Sequence, residues 1–324
     1  MGKQPALGRQ SGALWRRFVA GSAIAWCVFV AGHSPILRAA ILPVPNGSFE
    51  SPSTLFVSPG MNSWRKSAKP EDYDETGGFL WDQLTGLFKN PAVGAVDRID
   101  NCDGDQAAWM FAVPGVALFQ DFDATDAGHP QPAHEFSATY SPGKSYRLTI
   151  GVIGGGGRMA EGVTLELAFY YRDPNGLPVV IQQETVTNTR ERFPNNTHLV
   201  DSSLLLTKVR PEDPWAGRHI GVRMLSTVSP DAQGGYWDLD NLRLEEISSL
   251  SLTLSPGPST SELRLSWASE QGLLYQVRRG AELGDWVNEG APIPGTGEEL
   301  STLIDIRGHS HAYFSLVATP AIAP

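Results

Sequence analysis

The sequence predicts an all-β protein: a jelly-roll β-sandwich followed by a small second β-sandwich domain. Apolar and polar residues alternate in many short runs, which is the pattern of a strand with one face in a core. Glycine, proline, asparagine and aspartate separate these runs, and no run has the period of an amphipathic helix. About ten short strands over roughly 200 residues favour an antiparallel sandwich of the jelly-roll type.

The first 40 residues predict a secretory signal peptide. Lys3 and three arginines precede an apolar run of roughly 14 residues that ends at Ala31, and the segment closes with Arg38-Ala39-Ala40. This run is short for a membrane-spanning helix, although an uncleaved anchor is the alternative. We therefore expect a secreted protein, extracellular or at the cell surface, whose mature chain begins near residue 41.

Charge and cysteine content restrict the partners and the source of stability. The first 40 residues hold five of the 25 basic residues and none of the 35 acidic ones, so the mature chain has a formal charge of −15. Such a surface disfavours nucleic acid and anionic lipid, and we expect no stable membrane insertion after signal cleavage. Cys27 lies in the signal peptide and leaves Cys102 alone, so stability must come from core burial or a metal.

One run shows the strand pattern most clearly. From Val163 to Tyr171 every second residue is apolar, and most of the residues between them are polar or small. Tyr170 is out of phase with this set, so we expect it to face away from the core. Comparable runs predict strands at 146–152, 179–186, 198–209, 220–225 and 237–244.

The composition changes after Ile247. Serine, leucine, threonine, proline and glycine dominate the next residues, which predicts a linker. Three alternating runs, at 263–267, 274–278 and 313–317, then predict a small β-domain. The predicted organisation is a signal peptide at 1–40, a jelly roll at 41–247, a linker at 248–261 and a small β-domain at 262–324.

Asp238 and Asp240, near the end of the predicted jelly roll, need a compensating partner. If Leu242 and Leu244 point into the core, unbroken alternation places both aspartates on that side, where bare carboxylates are costly to bury. A β-bulge near Asn241 would turn them outward, whereas a bound cation would neutralise them in place. Calcium suits the second alternative because it accepts carboxylate, amide and backbone oxygens. The sequence leaves both alternatives open.

Short motifs in the first domain resemble one secreted family. They lie at 44–50 (VPNGSFE), at 103–106 (DGDQ) leading to 118–120 (LFQ), and at 238–244 (DLDNLRL). The family is the carbohydrate-binding-module-like, galactose-binding-like β-sandwich found in many exported bacterial proteins, some with a PEP-CTERM sorting tail. It also includes the calcium-dependent Stig cyclases. The resemblance covers roughly residues 41–247.

This resemblance implies a structural calcium ion that joins the first and last strands. Carried over by motif, its ligands are expected at Glu50 and Asp240, with Asn46 and Asp238 as further candidates. The closing motif has Leu242 where the family usually has valine, which leaves the acidic positions unchanged. In the C-terminal region, the segments 265–267, 275–279 and 283–286 resemble a fibronectin-like accessory module of secreted proteins.

Aromatic residues outside the strand pattern are the candidates for binding a glycan. Jelly-roll modules stack aromatic rings on sugar faces and fix the orientation of the sugar with polar groups. Trp64 and Trp81 lie in an irregular, glycine-rich segment where a core role is not evident, and Tyr170 faces away from the core. We therefore expect these three side chains to contact a ligand. By contrast, Trp109, Trp215 and Trp237 lie in or beside strands and are expected in the core.

The segment 97–105 contains four aspartates. It lacks the ligand spacing and the terminal glutamate of an EF-hand, so it is interpreted mainly as a solvated acidic loop. Asp103 and Asp105 remain candidates for hydrogen bonds to sugar hydroxyls or for a second calcium site.

The leading functional prediction is a non-catalytic, calcium-containing binding module that recognises carbohydrate or another cell-surface or matrix component. The first alternative is an enzyme of the cyclase or lyase type, for which the family resemblance implies Asp238 as the acid. The second alternative is a structural or adhesive surface protein. The sequence contains no H-E-x-x-H, G-x-S-x-G or catalytic Cys-His motif, which favours binding over catalysis.

Overall fold

The computed structural model describes residues 27–30, 38–248, 252–269, 271–282, 285–307 and 311–320. Within these ranges the chain is built of β-strands and two single 3₁₀ turns, Trp81–Gln83 and Pro230–Ala232, which confirms the predicted fold class. None of the described segments forms a helix long and apolar enough to cross a membrane. In chain order the strands are β1 (Cys27–Val30), β2 (Arg38–Leu42), β3 (Val57–Ser58), β4 (Arg65–Lys66), β5 (Thr85–Lys89), β6 (Gln106–Phe111), β7 (Ala117–Gln120), β8 (Lys144–Gly156), β9 (Thr164–Arg172), β10 (Pro178–Thr187), β11 (Val200–Leu206), β12 (Gly221–Ser226), β13 (Tyr236–Ser248), β14 (Thr253–Pro256), β15 (Glu262–Ala268), β16 (Leu273–Gly280), β17 (Val287–Pro294), β18 (Glu299–Asp305) and β19 (His311–Pro320).

The chain divides into two compact units, of which the larger is Arg38–Ser249. Its seven-stranded sheet has the order β11-β8-β13-β6-β5-β3, with β2 pairing to β13 as well. Its five-stranded sheet has the order β10-β9-β12-β7-β4. Because β13 is long, β6 pairs with its first residues and β2 with its last ones, both antiparallel. The two sheets thus form the predicted sandwich.

Side chains from both sheets meet in one apolar core. On β9, Leu165, Leu167 and Phe169 are fully buried, as the alternation in the sequence predicts. Trp237 and Leu239 of β13 enter the same core from the seven-stranded sheet. Burial of these large apolar side chains stabilises the fold by about 1.5–3 kcal/mol each. The opposite faces of both sheets are therefore the surfaces on which a ligand can bind.

A β-bulge in β13 decides the direction of the acidic side chains. The pairing of β13 with β8 shifts by one residue between Asp240 and Arg243, and Asn241 has a φ of 55°. Leu242 beyond the bulge enters the core, while Asp240 before it lies on the opposite face with Asp238. The bulge that the sequence left open as one alternative is confirmed.

The second unit contains the strands from β14 onward, together with β1. One sheet has the order β1-β19-β16-β17 and the other has the order β14-β15-β18. Trp267, Tyr275 and Phe314 are buried in its core. β14 lies inside the segment expected to be a linker, because Leu252 and Leu254 pack against this core and order that part of the chain.

Most of the expected signal peptide lies outside the described residues. Within it, the backbone of β1 pairs in parallel with β19, and β2 pairs with the end of β13. Cleavage after Ala40 would therefore remove β1 and the first three residues of β2 from the mature chain.

Candidate functional site

Two carboxylates that the sequence placed in separate motifs bind the same loop. Glu50 Oε1 accepts hydrogen bonds from the backbone N–H groups of Asp105 and Gln106, both at 2.7 Å. Asp240 Oδ2 accepts the backbone N–H of Asp103 at 2.6 Å. Gly104 lies between Asp103 and Asp105 in the loop and has a φ of 103°. A Cβ at this position would come within 2.5 Å of Glu50 Oε1. We call Glu50, Asp240 and the loop 102–106 the carboxylate clasp.

The clasp concentrates negative charge without a basic partner. Asp240 is fully buried, and burial raises its pKa to about 7, opposed by hydrogen bonds from the backbone N–H of Asp103, the Cys102 thiol and the backbone N–H of Asn241. Burial also raises the pKa of the Cys102 thiol, and the carboxylates of Asp240 and Glu50 raise it further. Among the described residues, neither clasp carboxylate forms an ion pair.

Only part of the expected calcium ligand set meets at the clasp. The Asn46 Oδ1 accepts the backbone N–H of Ser51 at 2.9 Å, and its Nδ2 donates to the carbonyls of Ser51 and Asn62. Its amide therefore shapes the turn before Glu50. Across the described ranges, no group of three or more His, Cys, Asp or Glu side chains is arranged to hold a metal. The clasp carboxylates are nevertheless oxygen ligands of the kind that calcium takes.

Trp64 and Trp81 are not available for sugar stacking, which corrects the expectation from the sequence. Trp64 is 1% exposed and Trp81 is 3% exposed. The Trp64 Nε1–H donates to the carbonyl of Asn46 at 3.0 Å, and the Trp81 Nε1–H donates to the carbonyl of Ser67 at 2.9 Å. The irregular segment that carries them folds onto the sandwich, so both rings extend the core.

Asp103 and Asp105 lie exposed on the surface of the clasp loop. The Asp105 carboxylate forms an ion pair with Lys89 at 3.0 Å, and the hydrogen bond from Lys89 lowers its pKa. Their backbone N–H groups bind the clasp carboxylates, so the side chains themselves remain on the solvent side.

Tyr170 faces away from the core, as expected, but it is only 2% exposed. Its ring lies across Gly221 of the neighbouring strand β12, where a Cβ would come within 2.4 Å of the ring. Its hydroxyl donates to the Asp121 Oδ2. The Arg172 guanidinium binds the same carboxylate. Its Nε–H donates to Oδ1 and its Nη2 contacts Oδ2, both at 2.9 Å. Tyr170 is therefore a supporting member of a polar network and is not a free stacking platform.

The same outer face of the five-stranded sheet carries a second ion pair. Arg223 of β12 donates from Nη2 to the Glu166 Oε1 at 2.6 Å. Glu166 is buried, and the Arg223 Nε–H is buried without an acceptor among the described residues. A buried donor that makes no hydrogen bond costs about 1–3 kcal/mol. We call Asp121, Glu166, Tyr170, Arg172 and Arg223 the charged face.

Aromatic rings stack at one end of the charged face. Phe122 follows Asp121 directly, and His219 precedes the start of β12. Phe122 stacks on His219 with ring centroids 4.1 Å apart and on His134 with centroids 4.5 Å apart. The His134 side chain is about half exposed, so its outer ring face is open to solvent. The charged face thus combines fixed polar groups with an accessible aromatic edge.

On the seven-stranded sheet, Asp238 faces outward among aromatic residues. Trp109 of β6 and Ile153 of β8 are directly opposite it, and Tyr236 precedes it on the same face of β13. Burial raises the pKa of Asp238 to about 7, and burial together with the Asp238 charge raises the pKa of Tyr236. The Asp238 carboxyl forms no hydrogen bond or ion pair within the described part of the chain. It therefore lies apart from the clasp contacts that bind Asp240.

The aromatic surroundings of Asp238 extend along the sheet. Phe111 pairs directly with Tyr236, and their ring centroids are 5.9 Å apart. The ring centroid of Phe79 is 6.0 Å from that of Phe111, and Phe79 is 60% exposed. Trp109 is half-buried over Gly86, although it was expected in the core. We call Phe79, Phe111 and Tyr236 the aromatic row. The Trp109 ring is turned toward β5, and its Nε1–H donates to the Gln83 carbonyl at 3.1 Å.

Neither the charged face nor the aromatic row was predicted as a site from the sequence. One signal for the charged face was present, since Glu166, Tyr170 and Arg172 occupy alternate positions of β9, out of phase with the core residues. Their partners Asp121 and Arg223 lie about 50 residues away in sequence. These ion pairs can therefore be recognised only when the order of the strands in the sheet is known. The aromatic row likewise joins two strands and a loop.

Comparison with known proteins gives structural likeness only. No family model matches the chain, and no curated protein matches it. A Stig cyclase, Fisc from Fischerella sp. TAU, is 17% identical with a TM-score of 0.45, covering 65% of this chain and all of that one. The CBM22-1 xylan-binding domain of Paenibacillus barcinonensis Xyn10C is 12% identical with a TM-score of 0.30, covering 58% of this chain and 87% of that one. The CBM22-1–GH10 modules of Clostridium thermocellum xylanase 10B are 11% identical with a TM-score of 0.30, covering 60% of this chain and 27% of that one.

These structures are a Stig cyclase and xylan-binding modules. At such low identities and TM-scores they assign neither activity nor ligand to this chain.

Proposed function

We propose that the Arg38–Ser249 unit is a non-catalytic carbohydrate-binding module whose ligand lies on the charged face. The observation that supports this is a set of polar planar side chains held rigidly on the surface of a sheet. Arg172 is fixed by two hydrogen bonds to Asp121, and Arg223 is fixed by Glu166. Groups that are already ordered lose little entropy when a ligand binds.

The chemistry of these side chains fits sugar hydroxyls. A hydroxyl both donates and accepts hydrogen bonds, so it can bridge a carboxylate and a guanidinium that lie side by side. Arg223 makes only one of its five possible N–H hydrogen bonds within the described residues, and its side chain is 25% exposed. The aromatic edge at His134 supplies an apolar surface for a sugar ring.

The proposal also includes a structural calcium ion and export. Glu50 and Asp240 would hold the ion at the clasp, where calcium would supply positive charge between two carboxylates that form no ion pair with any described residue. An ion present at 100 times its Kd stabilises a fold by about 2.7 kcal/mol. Export would place the module in a calcium-rich compartment, as the expected signal peptide implies.

A pair of double variants tests the carbohydrate proposal. Glu166→Leu with Arg223→Met removes both charges of the pair, and such apolar replacement of a whole ion pair is often neutral for stability. The matched control is Glu245→Leu with Arg147→Met, an ion pair at 3.0 Å on the outer face of the seven-stranded sheet. Binding of the full chain is measured on a glycan array and then by calorimetry with the best glycan.

We expect the first double variant to lose at least tenfold in affinity and the control to stay within twofold of the original protein. Circular dichroism establishes that both variants are folded. Absence of any bound glycan, or equal losses in the two variants, would refute the proposal.

The calcium ion is tested by thermal unfolding in calcium and in EDTA. At about 2–4 °C per kcal/mol, the expected stabilisation raises Tm by about 5–10 °C in calcium. Glu50→Gln should reduce this rise, while Asp201→Asn, a carboxylate paired with Arg243 outside the clasp, should leave it unchanged. An unchanged Tm in EDTA, with no calcium found by elemental analysis, contradicts the proposal.

A further inference from the structure

The Glu166–Arg223 ion pair on the charged face has hydrogen-bonding groups that the chain does not use. Arg223 donates only from Nη2, to the Glu166 Oε1 at 2.6 Å, and its Nη1 and Nε groups have no acceptor among the described residues. The Glu166 Oε2 likewise accepts no hydrogen bond within the described part of the chain. The two side chains are 25% and 10% exposed. The pair therefore presents unused donors beside an unused acceptor.

The other carboxylate of the charged face has no acceptor capacity left for a ligand. Asp121 accepts hydrogen bonds from the Tyr170 hydroxyl and from the backbone N–H of Asp123. The Arg172 guanidinium also contacts both of its oxygens, at 2.9 Å each. A carboxylate has about four acceptor positions, and these contacts fill them. The polar part of a ligand is therefore directed to the other ion pair.

Apolar side chains flank the Glu166–Arg223 pair on the same face of the sheet. Phe119 of β7 is directly opposite Arg223, and Leu225 of β12 is directly opposite Glu166. Side chains at such cross-strand positions have Cβ atoms about 4.5–5.5 Å apart. Phe119 and Leu225 are both half-buried, so part of each is open to solvent. A ligand group bound here would meet polar atoms and carbon side by side.

The charges around this place favour a neutral ligand. The two arginines and two carboxylates of the charged face cancel, and the mature chain has a formal charge of 20 minus 35, or −15. Asp123, whose side chain is 56% exposed, adds a negative charge at the aromatic end of the face. A carboxylate or sulfate on the ligand would meet net repulsion. We therefore expect the acceptor on the ligand to be an uncharged carbonyl.

We propose that the Glu166–Arg223 pair recognises the acetamido group of an N-acetylated amino sugar, an inference that rests on the proposed carbohydrate function. A secondary amide has one acceptor and one donor. Its C=O accepts from the free N–H groups of Arg223, and its N–H donates to the free Oε2 of Glu166. Its methyl group packs against Phe119 and Leu225, which removes apolar surface from water. A hydroxyl lacks the methyl contact, and an O-acetyl ester lacks the N–H.

Two trisaccharides that differ in one substituent of each ring provide the test. Chitotriose carries an acetamido group where cellotriose carries a hydroxyl. Each is titrated into the full chain by calorimetry, with calcium present throughout, and an O-acetylated xylotriose tests whether an ester carbonyl suffices. Saturation-transfer NMR shows which protons of chitotriose contact the protein.

The site is located with the two double variants already described. Glu166→Leu with Arg223→Met removes the proposed partners of the amide, and Glu245→Leu with Arg147→Met is the matched control on the other sheet. Circular dichroism establishes that both variants are folded. The saturation-transfer measurement uses the original protein, so it tests the amide contact without a variant.

We expect chitotriose to bind at least tenfold more tightly than cellotriose or the O-acetylated sugar, and its methyl protons to receive the strongest saturation. The test variant should bind chitotriose no more tightly than the original protein binds cellotriose, whereas the control should keep the tenfold preference. Equal binding of any two sugars of the three that includes chitotriose, weak saturation of the methyl protons, or a preference that survives in the folded test variant would overturn this inference and leave the carbohydrate proposal standing. Absence of any bound glycan on the array would overturn both.

Discussion

Lys66 carries a buried amine that the fold does not satisfy. Its Nζ is inaccessible to solvent and has no hydrogen-bond acceptor among the described residues, and it lies 5.3 Å from the centroid of the Trp81 ring. Burial lowers its pKa from 10.5 to about 8, although the charges of Asp82, Asp126 and Glu75 oppose this change. The protonated amine is therefore less stable in the folded state than in the unfolded one.

Replacement by methionine keeps the length of the side chain and removes the charge. A base with a lowered pKa destabilises the fold below the folded pKa, and this cost disappears as the pH rises through the unfolded pKa. At about 1.4 kcal/mol per tenfold change in proton affinity, the change from 10.5 to about 8 corresponds to about 3 kcal/mol. Lys66→Met should raise the free energy of unfolding by up to about this amount at pH 7.

Urea unfolding, followed by tryptophan fluorescence at pH 7 and at pH 10.5, measures this effect. The stability advantage of Lys66→Met over the original protein should lose most of its pH 7 value when the pH is raised to 10.5. Lys69→Met is the control, because Lys69 is exposed and forms a surface ion pair with Glu75, so less than 1 kcal/mol is expected at pH 7. A Lys66→Met variant that is no more stable at pH 7, or whose advantage does not depend on pH, refutes the reasoning.

Two substitutions test the packing of the larger unit, and one measurement tests the expected signal cleavage. Gly221→Ala should destabilise the protein by about 1–3 kcal/mol in urea unfolding, because its methyl group would collide with the Tyr170 ring; an unaffected midpoint would show that the ring moves freely. Trp64→Ala should cost about 3–5 kcal/mol as a core truncation, and a stable variant that lost only ligand binding would restore the surface interpretation. Mass spectrometry of the protein purified from its native host should find an N-terminus near residue 41; a start before Cys27 would instead retain β1.

The strands were predictable because burial on one face leaves a local period in the sequence. Leu165, Leu167 and Phe169 show this period, and the sheet buries all three. The sequence predicted the outward direction of the Asp240 side chain only as one of two alternatives, a β-bulge or a bound cation. A bulge depends on one residue, Asn241, adopting a positive φ, and the pattern around it fits either outcome.

The aromatic residues show why loop position is a poor guide to exposure. Trp64 and Trp81 lie in a segment with little regular structure, yet long-range packing buries both. Trp109 lies within a strand, yet it is on the outer face because its neighbours Ala108 and Met110 fill the core. Which face of a strand is covered is decided by the partner sheet, and that information is distributed over the chain.

The pairing of β2 with β13 brings the two ends of the larger unit together. After the expected cleavage, Ile41 is its first residue, and Ile41 is directly opposite Glu245, close to its last residue Ser249. A unit whose ends are neighbours can be inserted into a surface loop of another protein without stretching the host chain. It can also be circularly permuted: joining the ends and opening the exposed turn at Pro174-Asn175-Gly176 should leave both sheets intact. The unit is thus suited to transfer between proteins as a cassette.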